Sequence, residues 1–169
     1  MSEAKSFQPI IDPTSKVLIL GSMPGVQSLE QQKYYANPQN QFWRIIYSIF
    51  DTPLDPDYQH RIAFIKGKGI GLWDVLESCD REGSLDSNIR NEKANDFVSL
   101  FKTFPNIHCV LFNGTKAYEA FRKGVGFDRF GSTTFKRMPS TSPANAQKFE
   151  QKLSEWYVLL NYIDTKGVL

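Results

Sequence analysis

Three clusters of carboxamide, hydroxyl and aromatic side chains are the groups in this sequence best suited to chemistry. The first runs from Gly21-Ser22-Met23-Pro24-Gly25 to Tyr34-Tyr35-Ala36-Asn37-Pro38-Gln39-Asn40-Gln41-Phe42-Trp43, and the latter stretch contains no acid. The second is Asn113-Gly114-Thr115-Lys116, and the third is Ser140-Thr141-Ser142-Pro143-Ala144-Asn145-Ala146, preceded by Lys136 and Arg137. A carboxamide both donates and accepts hydrogen bonds, and an aromatic ring offers a flat face, so the first cluster suits a pocket for a flat, neutral, hydrogen-bonding ring. Hydroxyls next to cations suit a phosphate backbone instead.

The elements that must position these clusters follow from the apolar pattern. Residues 17–20 (VLIL) read as a buried strand that stops at a loop shaped by two glycines and a proline. Ser28 and Gln31 have the spacing of a capping box, which predicts a new helix starting there. Phe42, Ile45, Ile46, Ile49 and Phe50 share one helix face, and a further helix is expected over 58–66. A second strand is predicted over 70–76, followed by a polar surface excursion over 77–91. A helix over 95–104 ends at Pro105, a buried strand spans 109–112, and a helix runs on to about Lys123. Residues 127–137 read as a loop and a fourth strand. In the last cluster Ser142 is placed as an N-cap and Pro143 as the first residue of a helix to about Tyr162. Four alternations of strand and helix predict an α/β fold, a mostly parallel sheet with helices on both faces. Three strand ends then converge on one rim, where such sheets bind ligands.

The 169 residues suit one domain over 1–169, with 41% hydrophobic and 22% charged residues, ordinary for a globular protein. The first sixteen residues read as an irregular arm that packs a few apolar side chains. A net charge of +2 neither demands nor excludes nucleic acid, because a basic face can hide in a small total. Cys79 and Cys109 are isolated, which argues for a reducing, cytoplasmic setting and against a thiolate metal site. No membrane-length apolar run or signal peptide is present. A monomer is expected.

The motifs GSMPGVQSL, YYANPQNQFW, FNGTKA and STSPANA together resemble the uracil-DNA glycosylase superfamily, and more narrowly its sixth family, the DNA-deoxyinosine (hypoxanthine-DNA) glycosylases. The likeness spans about residues 17–146. It implies an α/β/α sandwich around a four-stranded sheet, excision of hypoxanthine and possibly uracil from DNA, DNA as the partner, and no cofactor or metal. It also implies Asn40 as the catalytic residue, Tyr35 as the aromatic that stacks on the base, and Asn113 as a reader of the base. Mismatch-specific uracil glycosylases carry a water-positioning asparagine in the first loop. Here that position is Met23, which reads as a pocket wall or plain packing.

The residue chemistry is compatible with these roles. Breaking an N-glycosidic bond passes through a sugar with oxocarbenium character, so orienting water and stabilising separated charge matter more than a strong base. Asn40 would position water without fully deprotonating it. Asn113 and the backbone of Ser22 and Met23 can complement the acceptors O6 and N7 and the donor N1–H of hypoxanthine. Ser140, Thr141, Ser142 and Asn145, with Lys116, Lys136 and Arg137, form the expected phosphate clamp, aided by free amides at the start of the last helix. Plainer readings compete: Asn40 and Asn113 can be helix caps, Tyr35 can be core packing, and His60 and His108 read as structural. A non-catalytic α/β module that binds nucleotides or nucleic acid is the alternative function, although the first loop matches neither GxGxxG nor GxxxxGK[ST]. A zinc deaminase lacks its His and Cys ligand set here.

Overall fold

All five residues of β2 (Val17–Gly21) are buried, because both of its faces are covered. Val17 and Ile19 point into one hydrophobic cluster, and Leu18 and Leu20 into another. This is the consequence of period-two side chains on a strand sandwiched between layers. The computed structural model describes residues 3–163. Residues 1–2 and 164–169, which belong to the expected arm and the expected 1–169 domain, lie outside the described residues.

β2 is flanked by β3 (Ile70–Asp74) and β6 (Cys109–Asn113), and β7 (Thr134–Met138) joins β6. The order is β3-β2-β6-β7, and every pairing is parallel. In register, Gly21 lies opposite Asp74 and Asn113 opposite Met138, so the carboxyl ends of all four strands reach the same rim. One face is covered by α2 (Phe42–Ile49), α3 (Tyr58–Gly67) and α6 (Phe149–Trp156), through Phe42, Ile45, Ile46, Ile65 and Trp156. The other is covered by α4 (Phe97–Thr103) and α5 (Thr115–Gly124), through Phe97, Leu100, Ala120 and Phe121. The expected α/β class and three-layer arrangement are what the structure shows. Among the described residues, no helix is long and apolar enough to cross a membrane.

Four expectations need correction. The expected 70–76 strand is two: β3 ends at Asp74, and the chain turns into β4 (Leu76–Asp80). The expected surface excursion over 77–91 holds most of β4 and the start of β5 (Arg90–Ala94), and β4 pairs antiparallel with β5 and with β1 (Glu3–Lys5), forming a second three-stranded sheet. The short, exposed, charged strand β5 lacks the apolar alternation that would reveal it. Ser28 caps nothing. It is buried inside α1 (Val26–Gln31), which starts after Gly25, and its hydroxyl accepts a hydrogen bond from the amide of Ala36.

The fourth correction bears on the rim. Residues 141–148 form a series of turns, and α6 begins only after Lys148. Ser142 is therefore no N-cap of α6. Its hydroxyl accepts from the amide of Ala144 in a local turn. α6 instead braces this segment from behind: Trp156 Nε1 donates to the carbonyl of Pro139 at 2.9 Å, and the buried Lys152 ammonium donates to the carbonyl of Ser142 at 3.3 Å. Trp156 is fully buried. Trp156→Ala is expected to cost about 3–5 kcal/mol of stability by urea unfolding, because it opens a cavity and strands a carbonyl, whereas Trp156→Phe costs less.

Candidate active site

The rim of the parallel sheet opens into a crevice bordered by Gly21, Tyr35, Asn40, Asp74, Asn113 and Thr141. The strand order places Asp74 at one end, on β3, and the 139–145 segment at the other, beyond β7. The loops after β2 and β6 lie between them.

Thr141 is the hub of the second side. It is fully buried, and its hydroxyl donates to Asn40 Oδ1 at 2.7 Å while accepting from Asn113 Nδ2 at 3.0 Å. Its backbone amide donates to Asn113 Oδ1 at 2.9 Å, and its carbonyl accepts from the amide of Gln41. Thr141 is thus a tie between two asparagines, and this corrects the expectation that its hydroxyl grips a phosphate. Asn145 likewise closes its own loop, donating to the carbonyl of Ser140 and accepting from the amide of Gln147.

Asn40 fulfils part of the plain reading. Its Oδ1 also accepts from the amide of Phe42 at 2.9 Å, anchoring the start of α2. With Oδ1 held twice, Nδ2 is the end left over, and it meets no protein acceptor among the described residues. Asn40 therefore presents a fixed N–H donor to the crevice. Asn113 is more fully occupied, because its Nδ2 also donates to the Tyr35 hydroxyl at 3.3 Å. It does not cap α5, whose N-cap is Gly114.

Tyr35 takes a left-handed backbone, with φ of 57°, a conformation few non-glycine residues adopt. Its neighbours hold it there: the amide of Tyr34 donates to the Tyr58 hydroxyl and that of Ala36 to Ser28. One ring face stacks on Phe42 at 4.0 Å between centroids. Burial pushes its hydroxyl well above the usual tyrosine range, so it stays a neutral donor and acceptor.

On the other side, Ser22 donates to Asp86 at 2.6 Å, and the amides of Ser22 and Met23 meet no protein acceptor among the described residues. Met23 is buried as a crevice wall, as expected. The segment 84–87, a polar loop without sequence signal, also borders the crevice. Ser84 accepts from the amide of Val26, so this loop is fastened on both sides to the first motif, with Leu85 standing exposed between the fastenings. Arg81, buried beneath, donates to the carbonyl of Pro24.

Sequence reasoning passed over Asp74 as a site residue, for want of a partner. It is only 4% exposed, and its Oδ2 is enclosed without a hydrogen bond. A side chain at Gly21 would meet Asp74 Oδ1 at 2.7 Å and the Tyr35 hydroxyl at 3.4 Å, so glycine there makes the space in which these groups converge. Burial, then the nearby Asp86, pushes the carboxyl up to about 7, only partly offset by Arg81. A lone acid at a strand end is a weak signal. Only the apolar run that precedes it in the strand, IGLW, hints at the burial that perturbs it.

Of the expected phosphate contacts, Lys116, Arg137, Ser140 and Ser142 border the crevice. Lys116 is paired with Glu92, and Arg137 lies over the Tyr118 ring at 5.7 Å. Lys136 is exposed and alternates to the other face of β7 from Arg137, so it does not join them.

The molecule is thus an α/β protein whose parallel sheet gathers carboxamides and a stacked tyrosine in the crevice at its strand ends. Residues 8–164 match the family model described as the uracil DNA glycosylase superfamily, and the chain belongs to that superfamily. Among its relatives is a Methanosarcina acetivorans protein named hypoxanthine DNA glycosylase, 37% identical over 161 residues, covering 94% of this chain and 98% of the relative. A Methanosarcina barkeri protein of the same name is 38% identical over 155 residues, covering 90% and 94%. The solution NMR structure of a Methanosarcina acetivorans protein, described as a candidate uracil DNA glycosylase, superposes with a TM-score of 0.80 at 35% identity, covering 96% of this chain and 99% of that one.

Asp74 also sets a pH dependence of stability. Above about pH 4 the unfolded chain loses this proton, whereas the folded chain keeps it until about pH 7. The folded state then binds more protons, so stability falls as pH rises through that window. Urea unfolding of the protein against Asp74→Asn is expected to show the unsubstituted chain losing roughly 1.4 kcal/mol per pH unit relative to the variant, with the difference level above about pH 7.

Proposed function

We propose that this protein is a monofunctional DNA glycosylase that removes hypoxanthine from deoxyinosine in DNA, with uracil as a second candidate base. The observation that carries the reading is the crevice itself, in which an anchored carboxamide, a stacked tyrosine and open backbone amides face one space at the strand ends. The relatives named hypoxanthine DNA glycosylase support the base assigned.

In this reading the target nucleotide leaves the duplex, at a cost of about a few kcal/mol, least for a mispaired base. Its base lies on the open face of Tyr35, whose other face is taken by Phe42. The amides of Ser22 and Met23 donate to ring acceptors. Asn40 Nδ2 donates to the attacking water, fixing its position while leaving it neutral. Asn113 holds the Tyr35 hydroxyl and Thr141 in place. This is a supporting part rather than the base-reading part expected from the resemblance. Ser140 and Ser142 keep their hydroxyl protons for phosphate oxygens, and Arg137 supplies charge. The protein acts as a single-domain monomer, and its two buried free cysteines suit a reducing cytoplasm.

Leu85, 53% exposed at the crevice edge on a loop tied down at both sides, is placed to fill the gap that the extruded base leaves in the stack.

Alkali-induced scission of inosine-containing DNA tests the activity, since a binding module would shift the duplex without scission. Asn40→Ala is expected to lower the single-turnover rate about 10²–10³-fold with little loss of duplex affinity, the scale of removing one preorganised donor. Leu85→Ala is expected to slow release from duplex about tenfold while sparing single-stranded substrate, where no stack has to be filled. Equal loss on both substrates would argue against the wedge.

A further inference from the structure

The proposed reaction gives Asp74 no part, yet its carboxyl sits at the floor of the crevice. Among the described residues no hydrogen bond reaches either oxygen; Oδ2 is sealed from solvent, and Oδ1 lies at the Gly21 opening beside the Tyr35 hydroxyl. The groups that face it are Asp86 and Arg81 from the β4–β5 excursion and the hydroxyls of Tyr34 and Tyr35 from the loop before α2. Arg81 makes no ion pair with it, because the guanidinium is turned to the carbonyl of Pro24. An ionised carboxylate enclosed without a hydrogen bond is strongly disfavoured, so the neutral acid is the form this place selects.

We propose that Asp74 works as a neutral carboxylic acid, donating a hydrogen bond from its crevice-facing oxygen to O6 of the departing hypoxanthine. The inference rests on the glycosylase reading. A base stacked on the open face of Tyr35 extends its polar edge past the tyrosine hydroxyl, towards the opening above Gly21 where Asp74 Oδ1 lies. Asn113, the residue expected to read that edge, has both amide protons committed to Tyr35 and Thr141. When the C1′–N9 bond breaks, its electron pair leaves on the purine and spreads to O6, where a donor stabilises it and a carboxylate would repel it. Water forms the new C1′–O bond, and its surplus proton passes through solvent to the purine ring. The products are neutral hypoxanthine and an abasic sugar, and Asp74 ends with the proton it began with.

A general base would need the opposite protonation state and a place beside the water. Asp74 ends β3 at one edge of the sheet, whereas Asn40 is tied through Thr141 to the segment beyond β7 at the other.

The test is the pH profile of single-turnover hypoxanthine release from an inosine-containing duplex by the full chain, with Asp74→Asn and Asp74→Ala. The unsubstituted protein is expected to lose activity as pH rises through about 7, where Asp74 ionises. Asp74→Asn keeps an N–H donor, so it is expected to retain release within about tenfold and to lose that alkaline limb. Asp74→Ala is expected to fall about 10²–10³-fold at every pH. A rate that rises through pH 7, with Asp74→Asn as defective as Asp74→Ala, would overturn the proposal in favour of a general base. Unchanged profiles in both variants would overturn it in favour of a structural acid. If the unsubstituted protein releases no hypoxanthine at any pH while binding the duplex, the glycosylase reading itself fails and this role with it. Far-ultraviolet circular dichroism of each variant separates lost chemistry from lost fold.

Discussion

A single buried hydroxyl, that of Thr141, joins parts of the chain 101 residues apart by bonding Asn40, and the same hydroxyl meets Asn113 at the end of β6. The orientation of both asparagines on that side of the crevice depends on it. A hydroxyl can donate once and accept as well, and here both capacities are used inside the protein. The donation fixes which end of the Asn40 amide faces outwards, since an oxygen that accepts from both Thr141 and Phe42 cannot be exchanged for a nitrogen. The acceptance orients Asn113, which in turn holds the Tyr35 hydroxyl. Three side chains are thereby locked by a network whose members satisfy one another, the condition under which buried polar groups give a definite geometry.

The network is kept in register by hydrophobic burial behind it. Trp156 and Lys152 of α6 hold the carbonyls on either side of Thr141, and α6 itself is fixed by packing against α2 and the sheet. The opposite wall is built differently. The segment 84–87 hangs from a small antiparallel sheet and is sewn to the glycine loop by Ser22–Asp86 and Val26–Ser84 contacts. A base entering the crevice would thus meet a wall braced by the core and a wall made from an excursion that also carries the exposed Leu85. Between them, enclosure leaves Asp74 without the solvation an acid normally relies on, and its altered protonation follows from that enclosure.

Much of the scaffold was legible because it obeys simple periodicities. The apolar runs at 17–20 and 109–112 are strands, since only a strand covered on both faces needs continuous apolar residues, and the spacing from Phe42 to Ile49 can only bury itself as a helix. Tyr35, Asn40 and Asn113 stood out by motif type, and they border one crevice. Ser28, Ser142 and Thr141 were misread for a common reason. Serine and threonine next to turn residues serve as helix caps, turn formers or buried ties with nearly the same local sequence, and the partner that decides among these lies far along the chain.

The order of residue types along the chain was therefore enough to determine the α/β class, the strand ends that meet at the rim, and the carboxamide and aromatic character of what gathers there. Tertiary structure alone decided which atoms of those groups remain available: the nitrogen rather than the oxygen of Asn40, almost nothing of Asn113, and Oδ1 but not Oδ2 of Asp74. The reason is that burial and hydrogen-bond partnership are set by neighbours brought together from distant positions, such as Gly21 opposite Asp74 and Asn40 beside Thr141, and no local pattern encodes those meetings.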